Sequence, residues 1–335
     1  MAVRAESGRD AEGAVAGRPR RGWLSGVLVA AVVPFAVWAL LRASGWEPAF
    51  RWKQLVAFTP YVAAASVAVP LVALVLRRWY VATAALVPAV MLVATVAPRA
   101  FPDDAPAAKG PAVRVLAANL LQGSAPAAEV MDLVRRVRPD VLALQEITPE
   151  AAGALDGAGI GRSLPHRVVR AEPGVTGSAV YARYPLQEQP IIHIGFGQAR
   201  ARVAVPGAPP VEVVSVHPCA PTYPENEACW EAGLRALPAA DTGGPVRILA
   251  GDFNATLDHA EMRRILSTGY RDAADATGQG LRATWPDGAG GRDLPGVALD
   301  RVVADRRVAV RGFGVHPLPM TDHRAVHAEL VLPGR

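Results

Sequence analysis

The pattern of apolar and polar positions along the chain changes character once, near residue 100. Before that point, three runs at 23–41, 55–76 and 79–97 contain no Asp, Glu, Lys, Arg or His over 19, 22 and 19 residues. Roughly 20 helical residues cross a ~30 Å hydrocarbon core, so each run predicts a membrane-spanning helix. Buried helices of soluble domains are usually shorter and keep a polar face. Pro34, Pro60, Pro70 and Pro88 lie inside the runs; they are costly in an exposed helix and tolerated in a membrane one. After residue 112 the period shortens. The segments VRVLAAN (113–119), VLALQE (141–146), SAVYA, ARVAV, VEVVSVH, VRILAGD, ALDRVVA and AVHAELVL read as short buried strands. Between the first two, PAAEVMDLVRRVR reads as a helix with Val130, Leu133, Val134 and Val137 on one face. Residues 225–237 and 260–266 predict further helices. An α/β domain follows three membrane helices.

Composition sharpens this division. The chain has 335 residues, a net charge of +5 and 51% hydrophobic residues, which excludes a mostly disordered protein. Residues 1–110 carry 12 Lys/Arg against 6 Asp/Glu, while residues 111–335 carry 23 against 24. The basicity therefore belongs to the membrane region, and the near-neutral remainder argues against tight non-specific DNA binding. Arg18, Arg20 and Arg21 precede the first run, and Arg77-Arg78 forms the whole connection between the second and third. By the positive-inside rule both lie in the cytoplasm, against Arg42, Arg51, Lys53 and Arg99 on the other side. Five of seven tryptophans (Trp23, Trp38, Trp46, Trp52 and Trp79) lie in or beside the runs, as an interfacial belt requires. The organisation expected is a cytoplasmic basic tail (1–22), a three-helix membrane region (23–97), a Pro-rich linker (98–112) read as an extended tether, and an extracellular catalytic domain (113–335). A signal peptide is the competing reading of the first run; two further spans and the lack of a small-x-small site after Leu41 weigh against it.

Two cysteines exclude a disulfide-dense scaffold and a multi-cysteine metal module. Cys219 and Cys229, ten apart, either close a loop in an oxidising exterior or are unrelated thiols. There is no HExxH, CxxC, Walker loop or GxSxG.

The polar residues at strand ends carry the chemistry. Asn119 ends the first strand and Glu146 the second; His217 closes VEVVSVHP. Asp252 and Asn254 follow a strand in GDFN, Thr284-Trp285 precede a Gly-rich loop, Asp300 sits inside ALDRVV, and Asp322-His323 precede the last strand. Each is weak alone, since Asn or Asp after a strand is usually a turn former. Together, carboxylates, amides and imidazoles at one sheet edge suit a hard cation such as Mg²⁺. Asp300 within an apolar run needs a partner, because a buried lone carboxylate is expensive.

In that order, ANLLQG, DVLALQE, GSAVYARYPL, VEVVSVHP, ILAGDFNAT, ATW, ALDRVVA and TDHRAV closely resemble the endonuclease/exonuclease/phosphatase superfamily, over essentially all of 113–332. That superfamily includes pancreatic-type deoxyribonucleases, apurinic endonucleases, sphingomyelinases and inositol polyphosphate 5-phosphatases. Ala182 in YARYP departs from it, since many members have Ser or Thr there. The resemblance implies a four-layered α-β-β-α sandwich and a metal-dependent phosphoric ester hydrolase. It further implies that Asn119, Glu146 and Asp322 lie at the metal, Mg²⁺ with Mn²⁺ as the alternative. Asp252 would orient or deprotonate the attacking water, and Asn254 would hold a phosphate oxygen or the nucleophile. His217 and His323 would contact the phosphoryl group, with Asp300 orienting His323. These roles stand on chemistry too: a cation neutralises an anionic centre, a carboxylate positions water, and imidazoles stabilise developing charge.

The bond type is better determined than the substrate. A phosphodiesterase of nuclease type comes first. An enzyme acting on lipid or inositol phosphates is the alternative, and the bilayer attachment favours it by raising effective concentration. A catalytically inactive tethered binding module is the reading from another class, opposed by the completeness of the set. The 288–296 loop and the 184–199 segment are expected to shape the pocket.

Overall fold

The computed structural model describes residues 22–334 apart from 105, 107, 241, 242 and 288–294. The basic tail and most of the Gly-rich 288–296 loop lie outside the described residues.

Three apolar helical segments, Trp23–Ser44, Phe50–Val75 and Trp79–Ala100, are long and apolar enough to cross a membrane by length and composition. The first is helix α1 (Gly22–Ser44) with Pro34 inside it, and the third is built on α5 (Trp79–Val96) with Pro88 inside it. The second is not one continuous helix. It divides into α2 (Phe50–Leu55), a 3₁₀ turn (Val56–Phe58), α3 (Thr59–Ser66) and α4 (Ala68–Val75). The breaks fall just ahead of Pro60 and Pro70, where the missing N–H interrupts the hydrogen-bond ladder. Val27, Leu40, Leu71, Val75 and Val90 face outward, an arrangement that suits lipid and not water.

Beyond the bundle, two six-stranded sheets are stacked face to face. The first runs in the order β11-β12-β1-β2-β4-β3 and the second β5-β6-β7-β8-β10-β9. In chain order these are β1 (Ala112–Asn119), β2 (Val141–Gln145), β3 (His166–Arg170), β4 (Ser178–Ala182), β5 (Leu186–Ile194), β6 (Phe196–Val203), β7 (Val211–Val216), β8 (Val246–Asp252), β9 (Tyr270–Asp272), β10 (Asp300–Asp305), β11 (Ala309–His316) and β12 (Ala325–Val331). Each sheet contains one parallel pair at its centre, β1–β2 and β7–β8. Val115, Ala143, Val180, Val213, Ile248 and Val302 fill the space between the sheets.

Helices cover the two outer faces. α6 (Ala127–Val137) and α7 (Pro149–Gly157) pack on the first sheet, with Val130, Leu133, Val134 and Leu155 against Leu116 and Leu142. On the second sheet, α8 (Glu227–Arg235) and α9 (Ala260–Ser267) bring Trp230, Leu234, Met262 and Ile265 onto Val214 and Leu249. A short α10 (Ala273–Ala276) follows β9. Cys219 and Cys229 are joined, with their Cα atoms 5.8 Å apart. Residues 184–199, expected to shape the pocket, mostly form the outer β5–β6 hairpin of the second sheet. In it, the Phe196 ring lies 4.8 Å from that of His217, and Gln198 Oε1 accepts the His217 backbone N–H.

The bundle is not held on a free tether. Asp258, fully buried, accepts from Arg42 Nε (2.9 Å) and from Arg99 Nη1 and Nη2 (2.8 and 2.6 Å). Lys53 pairs with Glu227 and Glu231 of α8, and its carbonyl meets His259 Nε2 at 2.7 Å. Within the 98–112 stretch, Arg99 is buried, Asp103 N–H donates to Ala276 O, and Gly110 N–H to Leu332 O. A buried guanidinium needs a carboxylate, and satisfying it draws the linker against the domain.

Removing one partner from such a cluster strands charge and typically costs about 3–5 kcal/mol. Asp258→Ala should therefore lower the thermal midpoint of the detergent-solubilised chain by several degrees or more. Asp258→Glu should recover part of the loss.

Candidate active site

The two parallel pairs explain why the polar residues meet. Parallel neighbours end at the same edge, so Asn119 at the end of β1 and Glu146 just past β2 stand together, as do His217 after β7 and Asp252 at the end of β8. Stacking the sheets brings the two pairs face to face. β10 is antiparallel to β8 and pairs Asp300 with Asp252. Asp322 and His323 arrive on the turn into β12.

Local backbone geometry aims these groups. Gly251 has φ +147°, and a Cβ there would lie 2.3 Å from Val216 O and 2.7 Å from Gln145 Nε2, so the residue before Asp252 has to be glycine. Glu146 (φ +56°) and Asn254 (φ +48°) both hold left-handed backbone, a conformation costly for non-glycine residues and concentrated at functional sites. Asp252 Oδ1 accepts the Asn254 backbone N–H at 2.8 Å, which closes the GDFN turn.

All eight sequence-predicted residues lie at this edge, seven of them in one network. Asn119 Nδ2 donates to Glu146 Oε1 (3.0 Å) and Asp252 Oδ2 (3.2 Å), while its Oδ1 accepts from Leu121 N–H (3.0 Å). The other Glu146 oxygen accepts from Gln122 N–H at 2.8 Å. His217 Nε2 lies 3.6 Å from Glu146 Oε1 and 3.7 Å from Asp252 Oδ2. His323 Nδ1 lies 2.9 Å from Asp300 Oδ2, and its Nε2 is 3.6 Å from Asp252 Oδ2 and 3.9 Å from Asp322 Oδ1. Asn254 is the eighth. Its side chain donates to Pro218 O at 3.1 Å, beside the His217 turn rather than toward the carboxylates.

Three contributors went unassigned in the sequence reading. Trp285 Nε1 donates to Asp322 Oδ2 at 3.0 Å. Thr284 Oγ1 accepts the backbone N–H groups of Leu299 and Asp300. Thr321 Oγ1 accepts from His323 N–H and donates to Asn119 O, tying the turn into β12 to the end of β1 in the first sheet. The position of ATW before the Gly-rich loop was the available signal; the threonine bonds had none. Ala182 lies buried in the inter-sheet core at the far end of β4, opposite Val141. That is four residues, or about 13 Å, from the site edge.

Burial and mutual repulsion set the charge states. Burial pushes the Glu146 carboxyl above its ordinary range despite the Asn119 and Gln122 donors, and the Asp252 charge adds to this. Burial also raises Asp252; the His323 charge opposes the rise and Asp300 reinforces it. Burial lowers His217 to about 4 against the pull of Asp252. His323 moves the other way: burial opposes the charge, but Asp300 and Asp252 push it up to about 10. At neutral pH the site thus holds one neutral and one cationic imidazole.

The donor set fits a divalent cation. Asp322 Oδ1 and Asp300 Oδ1 are buried without a hydrogen-bond partner among the described residues. Asp252, Asp300 and His323 offer ligand atoms within 4.8 Å of one another. Oxygen-rich sites with uncompensated buried carboxylates suit Mg²⁺ or Mn²⁺. Asp322 could hold it through Oδ1, together with Glu146 and Asp252, whose oxygens also accept hydrogen bonds from Asn119, Gln122 and Asn254; Asp300 meets His323 through Oδ2 and keeps Oδ1 open.

The comparisons agree with this geometry. The profile of the Endonuclease/Exonuclease/phosphatase family matches residues 116–323, which spans every site residue. The chain belongs to that family of phosphoester hydrolases. Among solved structures, humanized D. rerio TDP2 superposes with a TM-score of 0.54 at 17% identity, covering 65% of this chain and 98% of that one. Truncated Caenorhabditis elegans TDP2 gives 0.52 at 18% identity, over 66% of this chain and 98% of that one. An endonuclease/exonuclease/phosphatase from Beutenbergia cavernae DSM 12333 gives 0.51 at 18%, over 67% and 72%. At these identities the likeness is one of fold. No curated protein matches the chain in sequence.

The imidazolium of His323 gives a pH signature. Its folded value lies near 10 against an ordinary 6.5, so its contribution to stability is complete below about pH 6.5 and is lost as pH rises through 10. Thermal unfolding of metal-free protein should show this decline between pH 7 and 10. Asp300→Asn should flatten it.

Proposed function

We propose that the chain is a membrane-anchored, divalent-metal-dependent phosphodiesterase whose catalytic domain lies outside the cell. The observation that carries the reading is the meeting of Glu146, Asp252 and Asp322 with His217 and His323 at one sheet edge.

Each group has work suited to its charge. Glu146, Asp252 and Asp322 would hold Mg²⁺ or Mn²⁺. The bound cation supplies charge neutralisation and polarises an ester oxygen. Asp252 orients the attacking water, its own position set by the Asn254 backbone N–H and the Asn119 amide. His323, held as imidazolium by Asp300, donates to a phosphoryl or leaving oxygen as charge builds there. His217, neutral, offers a hydrogen bond without adding charge. Asn119 and Trp285 position the carboxylates of Glu146 and Asp322. Asn254 is proposed to hold a phosphate oxygen by turning from Pro218 O when substrate binds.

The bundle and the disulfide support the placement. Three apolar segments lead from the arginine-flanked end to the domain. Of the four basic residues on the domain side, Arg42, Lys53 and Arg99 have partners in the domain itself. The Cys219–Cys229 bond suits an oxidising exterior.

Full-length protein supplied with Mg²⁺ should hydrolyse bis(4-nitrophenyl) phosphate, with turnover lost on chelation. Glu146→Ala and Asp252→Asn should each lower kcat by about three orders of magnitude, as removal of a catalytic group typically does. Asp252→Asn should also raise the thermal midpoint, because it removes a carboxylate that burial disfavours. Wild-type rates in either variant would overturn the role assignment. Protease added to intact cells should digest the domain, and full protection would reverse the topology.

A further inference from the structure

The helix bundle meets the domain at its catalytic end, through the loops that follow the catalytic residues. Gln54 Nε2 donates to the carbonyls of Pro221 and Thr222, just past His217. Asp258, which binds Arg42 and Arg99, lies six residues beyond Asp252. The segment between Trp285 and Asp300 reaches further. Val297 and Leu299 bury Ala57, with Phe58 and Trp285 packed around them. Tyr61 Oη donates to Gly296 O at 2.7 Å. Tyr61 is five residues past Val56, about 7 Å along the apolar segment at 1.5 Å per helical residue. The strand that carries Asp300 and the tryptophan that holds Asp322 are thus seated against side chains inside a membrane-spanning stretch.

The exposed apolar side chains of the domain lie at this same end. Among the described residues after 112, the exposed large ones are Tyr223, Leu281 and Met320. Tyr223 follows Thr222, Leu281 follows Gly280, whose N–H donates to Arg99 O, and Met320 is two residues before Asp322. Phe101 and Trp46, both 66% exposed, flank the helix ends. Exposed aromatic and aliphatic side chains level with the ends of membrane helices mark an interfacial contact. Several cations at this end are paired with carboxylates: Arg42 and Arg99 with Asp258, Lys53 with Glu227 and Glu231, Arg301 with Asp272 and Arg324 with Asp287, while Arg282 beside Leu281 bonds the Gln279 amide oxygen. A nucleic-acid backbone needs free cations to neutralise its phosphates.

We propose that the rim formed by Tyr223, Leu281 and Met320 is a bilayer-contact surface, and that the phosphodiester reaching the site is the headgroup of a membrane lipid. The substrate half of this rests on the phosphodiesterase reading above. Water adds its oxygen to phosphorus, one P–O ester bond breaks, and the departing alkoxide takes the proton. A lipid phosphodiester and water thereby become an alcohol and a phosphomonoester.

The full chain in nanodiscs of mixed phosphatidylcholine and phosphatidylglycerol, with Mg²⁺, tests both halves. A phospholipid bearing a photoactivatable group at its glycerol should label peptides containing Tyr223 and Leu281, and label confined to the helices overturns the contact surface. Turnover of the nanodisc phospholipid should exceed that of single-stranded DNA by at least tenfold. Replacing Tyr223 and Leu281 by Ser should lower lipid turnover relative to bis(4-nitrophenyl) phosphate by a similar factor. Hydrolysis of the soluble diester or of DNA without lipid turnover overturns the lipid assignment and leaves the phosphodiesterase standing. No hydrolysis of any probe with Mg²⁺ or Mn²⁺ overturns the phosphodiesterase, while the labelling still decides the contact.

Discussion

The arrangement of the domain turns on Asp252, a buried carboxylate within reach of Asn119, His217, His323 and, through them, Glu146 and Asp300. Like charges packed this closely out of water repel, and the fold accepts that cost by surrounding them with donors whose positions come from both sheets. An imidazolium, an amide and backbone N–H groups compensate part of the charge, and Asp322 and Asp300 each keep an oxygen with no donor among the described residues. A site left short of positive charge in this way suits a cation. Preorganisation of that kind is paid in folding stability and recovered in transition-state stabilisation.

The paired sheets supply this at low entropic cost. Two parallel strand pairs, one per sheet, deliver four of the functional positions to one edge without long loops. Antiparallel β10 adds Asp300 in direct register with Asp252. The remaining groups come from two short segments, Thr284-Trp285 and Thr321–His323, whose hydroxyls each satisfy backbone groups on neighbouring elements. Backbone strain gathers at this edge: Leu121, Gln122, Glu146 and Asn254 all hold left-handed conformations.

A second charge cluster, Asp258 with Arg42 and Arg99, works by the opposite balance. Burial alone would raise the Asp258 carboxyl, but hydrogen bonds from Arg99 and then Arg42 hold it below its ordinary range. The cluster is more specific than strong, since an apolar contact of equal volume would stabilise comparably. What it gives is orientation: this seating of the domain on the bundle satisfies both guanidinium groups at one carboxylate. The loops at the site edge are thereby placed against the apolar helices instead of swinging on a linker.

The chain by itself determined most of the elements and the family to which the domain belongs. Apolar runs of membrane length, strand-period segments and the order of Asn119, Glu146, His217, Asp252, Asp300 and His323 are local patterns, legible because period and residue type reflect local sterics and solvation. The β3, β5, β9 and β11 strands were illegible, since HRVVR, LQEQPIIHI and AVRGFGVH mix charges or glycine into the apolar alternation, YRD is three residues long, and all four are edge strands. The break of the second span followed prolines that were plain in the sequence, but whether a proline is absorbed, as Pro34 and Pro88 are, depends on neighbours. Only the tertiary structure decided that Asn119 turns its amide nitrogen toward the carboxylates, that Trp285 holds Asp322, and that Arg99 and Arg42 converge on Asp258 some 160 to 216 positions away. Those are pairings between distant segments, set by how whole sheets and helices pack, and no local pattern of residues encodes which buried charge will find which.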